Sequence, residues 1–184
     1  MPNNNDFVIE NGVLTKYTGK GEEKVTIPND VKTIGESAFE GCSSLKNITI
    51  PNSVTEIGDG AFYGCRSLKN ITIPNSVTTI GAGAFEGCLK LTKIVIPNLV
   101  KEIGESAFLG CFSLTKIVIP NSVKTIGENA FKDCLKLTDI EIPNSVKTIG
   151  ANVLAGCNNL KNVKAPAKFK DTLRKELGNK VTFN

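Results

Sequence analysis

Apolar and polar positions follow one another along this chain in a block that returns every 23 residues. Proline marks the period at 28, 51, 74, 97, 120, 143 and 166, and around it the chain reads roughly I-P-N-S-V-x-x-I-G-x-x-A-F-x-G-C-x-x-L-x-x-I-x. Three apolar columns result. One is Leu45, Leu68, Leu91, Leu114, Leu137 and Leu160; a second is Ile48, Ile71, Ile94, Ile117 and Ile140, ending at Val163. The third is Phe39, Phe62, Phe85, Phe108 and Phe131, ending at Leu154. No single unit of this length can bury its Leu, Ile and Phe alone, so neighbouring units must stack into a continuous core.

Within each unit the segment L-x-x-I-x-I alternates with period two and is closed by Pro, which predicts a short strand. Consecutive units place these strands in parallel, about 4.8 Å apart. Gly35, Gly58, Gly81, Gly104, Gly127 and Gly150 follow an Ile in every unit, where a positive φ would let the chain turn. The stretch "SAFEGC" is too short for a full helix and suggests one helical or 3₁₀ turn. The expectation is a right-handed solenoid, with a parallel strand ladder on one face and tight turns on the other. The ends depart from the pattern. "FVIENGVLTKY", residues 7–17, holds two strand-like runs around Asn11-Gly12, a type I′ hairpin signal. Phe169, Leu173 and Leu177, spaced by four after Pro166 and followed by Gly178, predict an amphipathic helix over the last coil. The organisation is therefore a hairpin cap over 1–20, six full repeats and a partial one over 21–165, and a helical cap over 166–184, in a single domain.

Composition narrows function mainly by exclusion. The 184 residues contain no His and no Trp, which removes the commonest general base and metal ligand at neutral pH. No apolar run approaches the ~20 residues of a membrane span, and the start, "MPNNNDFVIENG", shows no secretory signal pattern. From residue 160 onward seven Lys or Arg face two acids, whereas the rest holds fifteen bases and sixteen acids. The net charge of +4 thus belongs to the tail, and the balanced body argues against a nucleic-acid partner.

These units resemble the BspA-like class of leucine-rich repeats, whose motif is L-x-x-I-x-I-P-x-S-V-T-x-I-G-x-x-A-F-x-G-C. The resemblance spans roughly residues 21–166 and recurs six times. It implies a leucine-rich-repeat solenoid, a non-catalytic role in protein binding or cell adhesion, and a cell-surface or extracellular setting. It supplies no catalytic residue and no cofactor. A cytoplasmic location stays open, as does an engineered scaffold.

The candidate chemistry is sparse. Cys42, Cys65, Cys88, Cys111, Cys134 and Cys157 stack in register; side chains pointing the same way suit buried thiols better than crossed disulfides. Without a C-x-x-C or a His, no zinc site is expected. Asn29 and its equivalents follow each Pro as turn residues, and the N-I-T sequons at 47–49 and 70–72 fall inside strands. Asp139 and Glu141 lie on one face of a strand, but Lys116 one coil earlier and Lys164 one coil later make ion pairing a better account than catalysis. The Thr26, Thr49, Thr72 ladder gives way to Val95, Val118 and Glu141, too short and mixed for an ice-binding array. The strongest signal is apolar. The outward strand positions run Asn47/Thr49, Asn70/Thr72, Lys93/Val95, Lys116/Val118 and Asp139/Glu141, and the residue after Cys runs Ser43, Arg66, Leu89, Phe112, Leu135 and Asn158. Leu89, Phe112 and Leu135 beside Val95 and Val118, rimmed by Lys93, Lys116, Asp139 and Glu141, form a candidate patch for a protein or glycan ligand. Two alternatives accompany it: these residues widen the core, or the patch joins two copies as a homodimer.

Overall fold

Every coil turns at the same places because every coil carries the same Pro, Gly and Cys. In the computed structural model, which describes residues 6–183, Phe7–Glu10 (β1) and Val13–Tyr17 (β2) pair antiparallel across Asn11 and Gly12. Both turn residues have positive φ, 52° and 79°, as a type I′ turn requires. The following coils each give a three-residue and a two-residue strand. They are Lys24–Thr26 (β3) and Thr33–Ile34 (β4), Asn47–Thr49 (β5) and Glu56–Ile57 (β6), Asn70–Thr72 (β7) and Thr79–Ile80 (β8). Then come Lys93–Val95 (β9) and Glu102–Ile103 (β10), Lys116–Val118 (β11) and Thr125–Ile126 (β12), Asp139–Glu141 (β13) and Thr148–Ile149 (β14). Asn162–Lys164 (β15), helix Ala167–Leu177 (α1), a 3₁₀ turn at Gly178–Lys180 and Thr182–Phe183 (β16) follow. The terminal residues of the two expected caps, 1–5 and 184, lie outside the described residues.

The strands form two walls. The two-residue strands continue from β2 in an unbroken parallel ladder, β2-β4-β6-β8-β10-β12-β14, with β1 at its edge. The three-residue strands build a five-stranded sheet, β3 to β11, and a separate sheet in which β15 lies between β13 and β16. The L-x-x-I-x-I strand is therefore as expected, while the second ladder and the terminal strand β16 are additional. In the three-residue strands the middle residue is buried and its neighbours face outward, which is the period-two pattern at work.

A third wall is made by "SAFEGC" and its equivalents, and it contains no helical turn. The N–H groups of Ser37, Phe39 and Gly41 donate to the next coil, at Asp59, Ala61 and Tyr63 carbonyls, 2.8–2.9 Å away. Those of Ala38, Glu40 and Cys42 fold back three residues along the chain. With donors alternating between neighbours and self, no continuous helical ladder can form. The left-handed residues are Ser37, Gly60, Gly83, Ser106, Asn129 and Asn152, with a second row at Gly41, Gly64, Gly87, Gly110, Asp133 and Gly156.

This corrects the expectation of positive φ at Gly35 and its equivalents. Those glycines have ordinary φ; they are required because the coils touch there. A Cβ on Gly104 would sit 2.6 Å from the carbonyl carbon of Gly81, and one on Gly127 would sit 2.5 Å from the Glu105 nitrogen. The core between the walls is a stack. Phe7, Tyr17, Phe39, Phe62, Phe85, Phe108 and Phe131 succeed one another with ring centroids 5.1–5.6 Å apart. The hairpin thus caps the phenylalanine column with its own aromatic rings, while Phe169 and Leu173 of α1 bury against the other end. Each later thiol donates to the Phe carbonyl of the preceding coil, from Cys65 to Phe39 through Cys157 to Phe131, at 3.1–3.4 Å. All six cysteines are free and all but the half-buried Cys42 are buried. Burial pushes the Cys88 thiol up to about 12 and raises Cys65 and Cys111 too.

Candidate functional site

The strand wall is where one coil differs from the next. On β9 and β11 the register sets Lys116 beside Lys93 and Val118 beside Val95. Val95 is 50% and Val118 41% exposed, in a row where the earlier coils carry Thr. These valines meet no partner across the solvent face, so their apolar surface stays hydrated, at a cost that Thr would reduce.

Immediately beyond, the ladder parts. Strands β11 and β13 do not pair, although the turn wall and the two-residue ladder run on between the same two coils. The gap opens a groove of about 550 Å³ lined by Lys116, Val118, Asp139, Glu141, Asn162 and Lys164, with Thr115 and Thr138 at one end. Its far bank is rigid in charge. The Asp139 carboxylate accepts hydrogen bonds from Asn162 Nδ2 and Thr138 Oγ1, which hold its pKa below the usual carboxylate range, helped by nearby Lys161. Glu141 pairs with Lys164 at 2.7 Å. Asp139 is thus held as an anion by Asn162 on β15 and by Thr138 beside it. A general acid needs the opposite, a carboxyl whose proton is retained at neutral pH. The near bank carries the Lys116 cation and the apolar Val118, so the groove sets a cation and an apolar side chain against the Asp139 carboxylate and the Glu141–Lys164 pair.

The residues of the expected patch divide between the strand wall and a hollow at the turn corner. Lys93, Val95, Lys116, Val118, Asp139 and Glu141 share the strand wall. Leu89 and Phe112 lie instead around a smaller hollow of about 300 Å³ at the turn corner, with Tyr63, Leu109, Arg66 and Glu86. Phe112 is 43% exposed and Tyr63 44%, and the Phe112 ring rests over the bare backbone of Gly110. Leu135 is half-buried and lines neither hollow. The residue after Cys turns the corner before the strand begins, which separates it from the strand positions. Asn162 and Thr138 were not anticipated; the 23-residue register, which puts Asn162 opposite Asp139, was the signal that could have found Asn162. Among the described residues no group of three or more Cys, Asp or Glu could hold a metal ion.

Comparison with known proteins fixes the family. A model of the BspA-type leucine-rich repeat region, in six copies, matches residues 16–134 and 78–176. The chain belongs to the BspA-type leucine-rich repeat family. A T. pallidum leucine-rich repeat protein is similar over 92% of this chain and 89% of its own, at 35% identity and a TM-score of 0.80. A leucine-rich cell surface protein from Faecalibacterium prausnitzii shares 32% identity over 90% of this chain, with a TM-score of 0.64. A leucine-rich repeat protein from Eubacterium ventriosum shares 30% identity over 85%, with a TM-score of 0.60. The chain spans 52% and 51% of the length of the last two. No curated protein sequence matches the chain. Repeat proteins of this kind are generally non-enzymatic, which suggests a protein-binding scaffold, and no helix among the described residues is long and apolar enough to cross a membrane.

Proposed function

We propose that this chain is a binding module that engages a protein through the outward side of β9, β11 and β13, at the groove between the last two. The observation that carries this reading is the coincidence of exposed Val95 and Val118 with the one place where β11 and β13 leave the strand wall unpaired. A partner that covers the two valines and sets polar groups between Lys116 and Asp139 gains apolar burial at the centre and charge selection at the rim. The F. prausnitzii relative is described as a cell surface protein, which supports an adhesive role at a surface for this chain too.

The test is a panel of purified extracellular-matrix proteins and glycans, assayed by surface plasmon resonance against the wild type and a V95T/V118T variant. Thr occupies the same column at 26, 49 and 72, so the variant is expected to fold. Loss of binding to a matrix protein with an unchanged melting temperature supports the reading; retained binding overturns it. A second reading, self-association, is favoured by the separate Tyr63, Leu109 and Phe112 hollow. Light scattering of wild type and Phe112→Ser distinguishes it: a dimer that the substitution dissolves would support that role.

A further inference from the structure

The other strand wall carries a feature that the repeat does not need. The residue before each two-residue strand runs Lys32, Thr55, Thr78, Lys101, Lys124 and Lys147. In the early coils the column is closed by hydroxyls: Thr55 Oγ1 donates to the Lys32 carbonyl at 3.4 Å and Thr78 Oγ1 to that of Thr55 at 3.1 Å. In the later coils three lysines stack directly. The Lys124 N–H donates to the Lys101 carbonyl at 2.7 Å and that of Lys147 to the Lys124 carbonyl at 2.8 Å. Helix α1 then adds a fourth, since Lys168 Nζ donates to the Lys147 carbonyl at 2.9 Å. All four side chains are exposed, and no ion pair joins any of them to a carboxylate among the described residues.

Like charges in register on adjacent strands destabilise one another. Thr fits the same site in two coils, so the frame does not require lysine. For Lys101, Lys124 and Lys147 a local rule is broken without a compensating contact, and that points to a ligand; the Lys168 ammonium also rests over the Phe169 ring. The surroundings say which kind. Thr125 and Thr148 follow the lysines in sequence on β12 and β14, and the Thr148 hydroxyl donates to that of Thr125 at 3.4 Å. Glu102 sits next to Lys101, and Glu105 and Glu128 border the stripe beyond the glycine corner, all exposed. The positive surface is therefore long and narrow. A bilayer or a nucleic-acid duplex needs a broad face of one sign, and single-stranded nucleic acid needs aromatic platforms, which this column lacks. A flexible acidic peptide gains from pairing with a sheet edge, and this stripe runs mid-sheet, across paired strands.

We propose that the column Lys101, Lys124, Lys147 and Lys168 is a docking stripe for a linear sulfated polysaccharide laid along the solenoid axis. Each coil presents one ammonium to the sulfates, and the threonine hydroxyls meet the sugar. This surface is independent of the groove between β11 and β13.

The experiment is titration calorimetry of the full chain with a heparin hexasaccharide over a series of NaCl concentrations. A K101T/K124T/K147T variant is compared with a K20T/K69T/K90T variant, which removes the same number of charges elsewhere. The column variant is expected to bind at least about tenfold more weakly, with a log K against log salt slope shallower by about 3. The control variant is expected to bind like the wild type. Equal loss in both variants would reduce the effect to net charge and overturn the proposal. So would equal or tighter binding of single-stranded DNA or of polyglutamate. A melting temperature for each variant separates loss of the stripe from loss of the fold.

Discussion

The two strand walls of this solenoid are built from the same repeats and behave differently. The wall of two-residue strands runs unbroken from the hairpin strand β2 through all six of them to β14, while the wall of three-residue strands parts between β11 and β13. The first is the shorter in every coil yet the more continuous. Its continuity comes from what flanks it: glycines at which the coils' backbones touch, and turns whose alternate N–H groups donate to the next coil. The three-residue strands are held on their inner side by Ile but outside by whatever each coil carries. Register belongs to the corner, and identity belongs to the strand face. That division explains how the strand face can exchange Thr for Val, or Lys for Asp, while the corner keeps every coil in register.

The comparison breaks most readily at the core that both walls share. Phe85 is fully buried, with Phe62 and Phe108 stacked on either side. Phe85→Ala is expected to destabilise by about 3–5 kcal/mol, read as a lower urea midpoint. Next comes the corner. Gly127→Ala places a methyl group against the Glu105 backbone and should cost roughly 1–3 kcal/mol, although the change is one carbon on the surface of a coil.

The thiol column sharpens the contrast through pH. The Cys65, Cys88 and Cys111 thiols hold their protons above the ordinary value of 9.0, Cys88 up to about 12, because burial disfavours the thiolate. Their contribution is complete below that ordinary value. It is lost as pH rises, since the unfolded thiols ionise first and the unfolded state then binds fewer protons. The urea midpoint should fall steadily above pH 9.0, and less steeply in Cys88→Ala.

The strand wall gives the smallest effects. Lys164→Ala removes an exposed ion pair with Glu141 and should shift stability by about 0–1 kcal/mol. The V95T/V118T change should stay within about 0.5 kcal/mol per site. A large loss in either, measured by denaturant titration, would show that the strand wall sets the register after all.

What the residues revealed beforehand follows the same division. The L-x-x-I-x-I strand was legible because three residues suffice for alternation to show. The Thr33–Ile34 type of strand was not, because two residues followed by Gly read as a turn. The glycines were recognised as special for the wrong reason: close approach and positive φ both select Gly, and only the spacing of coils in space separates them. Positive φ fell two residues later, on Ser37 and Asn129 as well as on Gly60. The candidate patch was assembled from columns adjacent in sequence, and the chain bends between Phe112 and Lys116. Glu141 was correctly seen as a charge answered by Lys164 of the next coil; Asp139 was expected to pair with Lys116 and is met instead by Asn162, overlooked because an amide carries no charge to match.

The parted ladder also has a mechanical meaning. Pulling the two ends of this solenoid apart loads the bonds between coils one row at a time, and the weakest row yields first. Between the coils of β11 and β13 one of the rows is absent, so a load along the axis opens the molecule there, at the groove, and leaves the coils on either side wound. A tethered copy under tension would lengthen at this seam before it unfolds anywhere else.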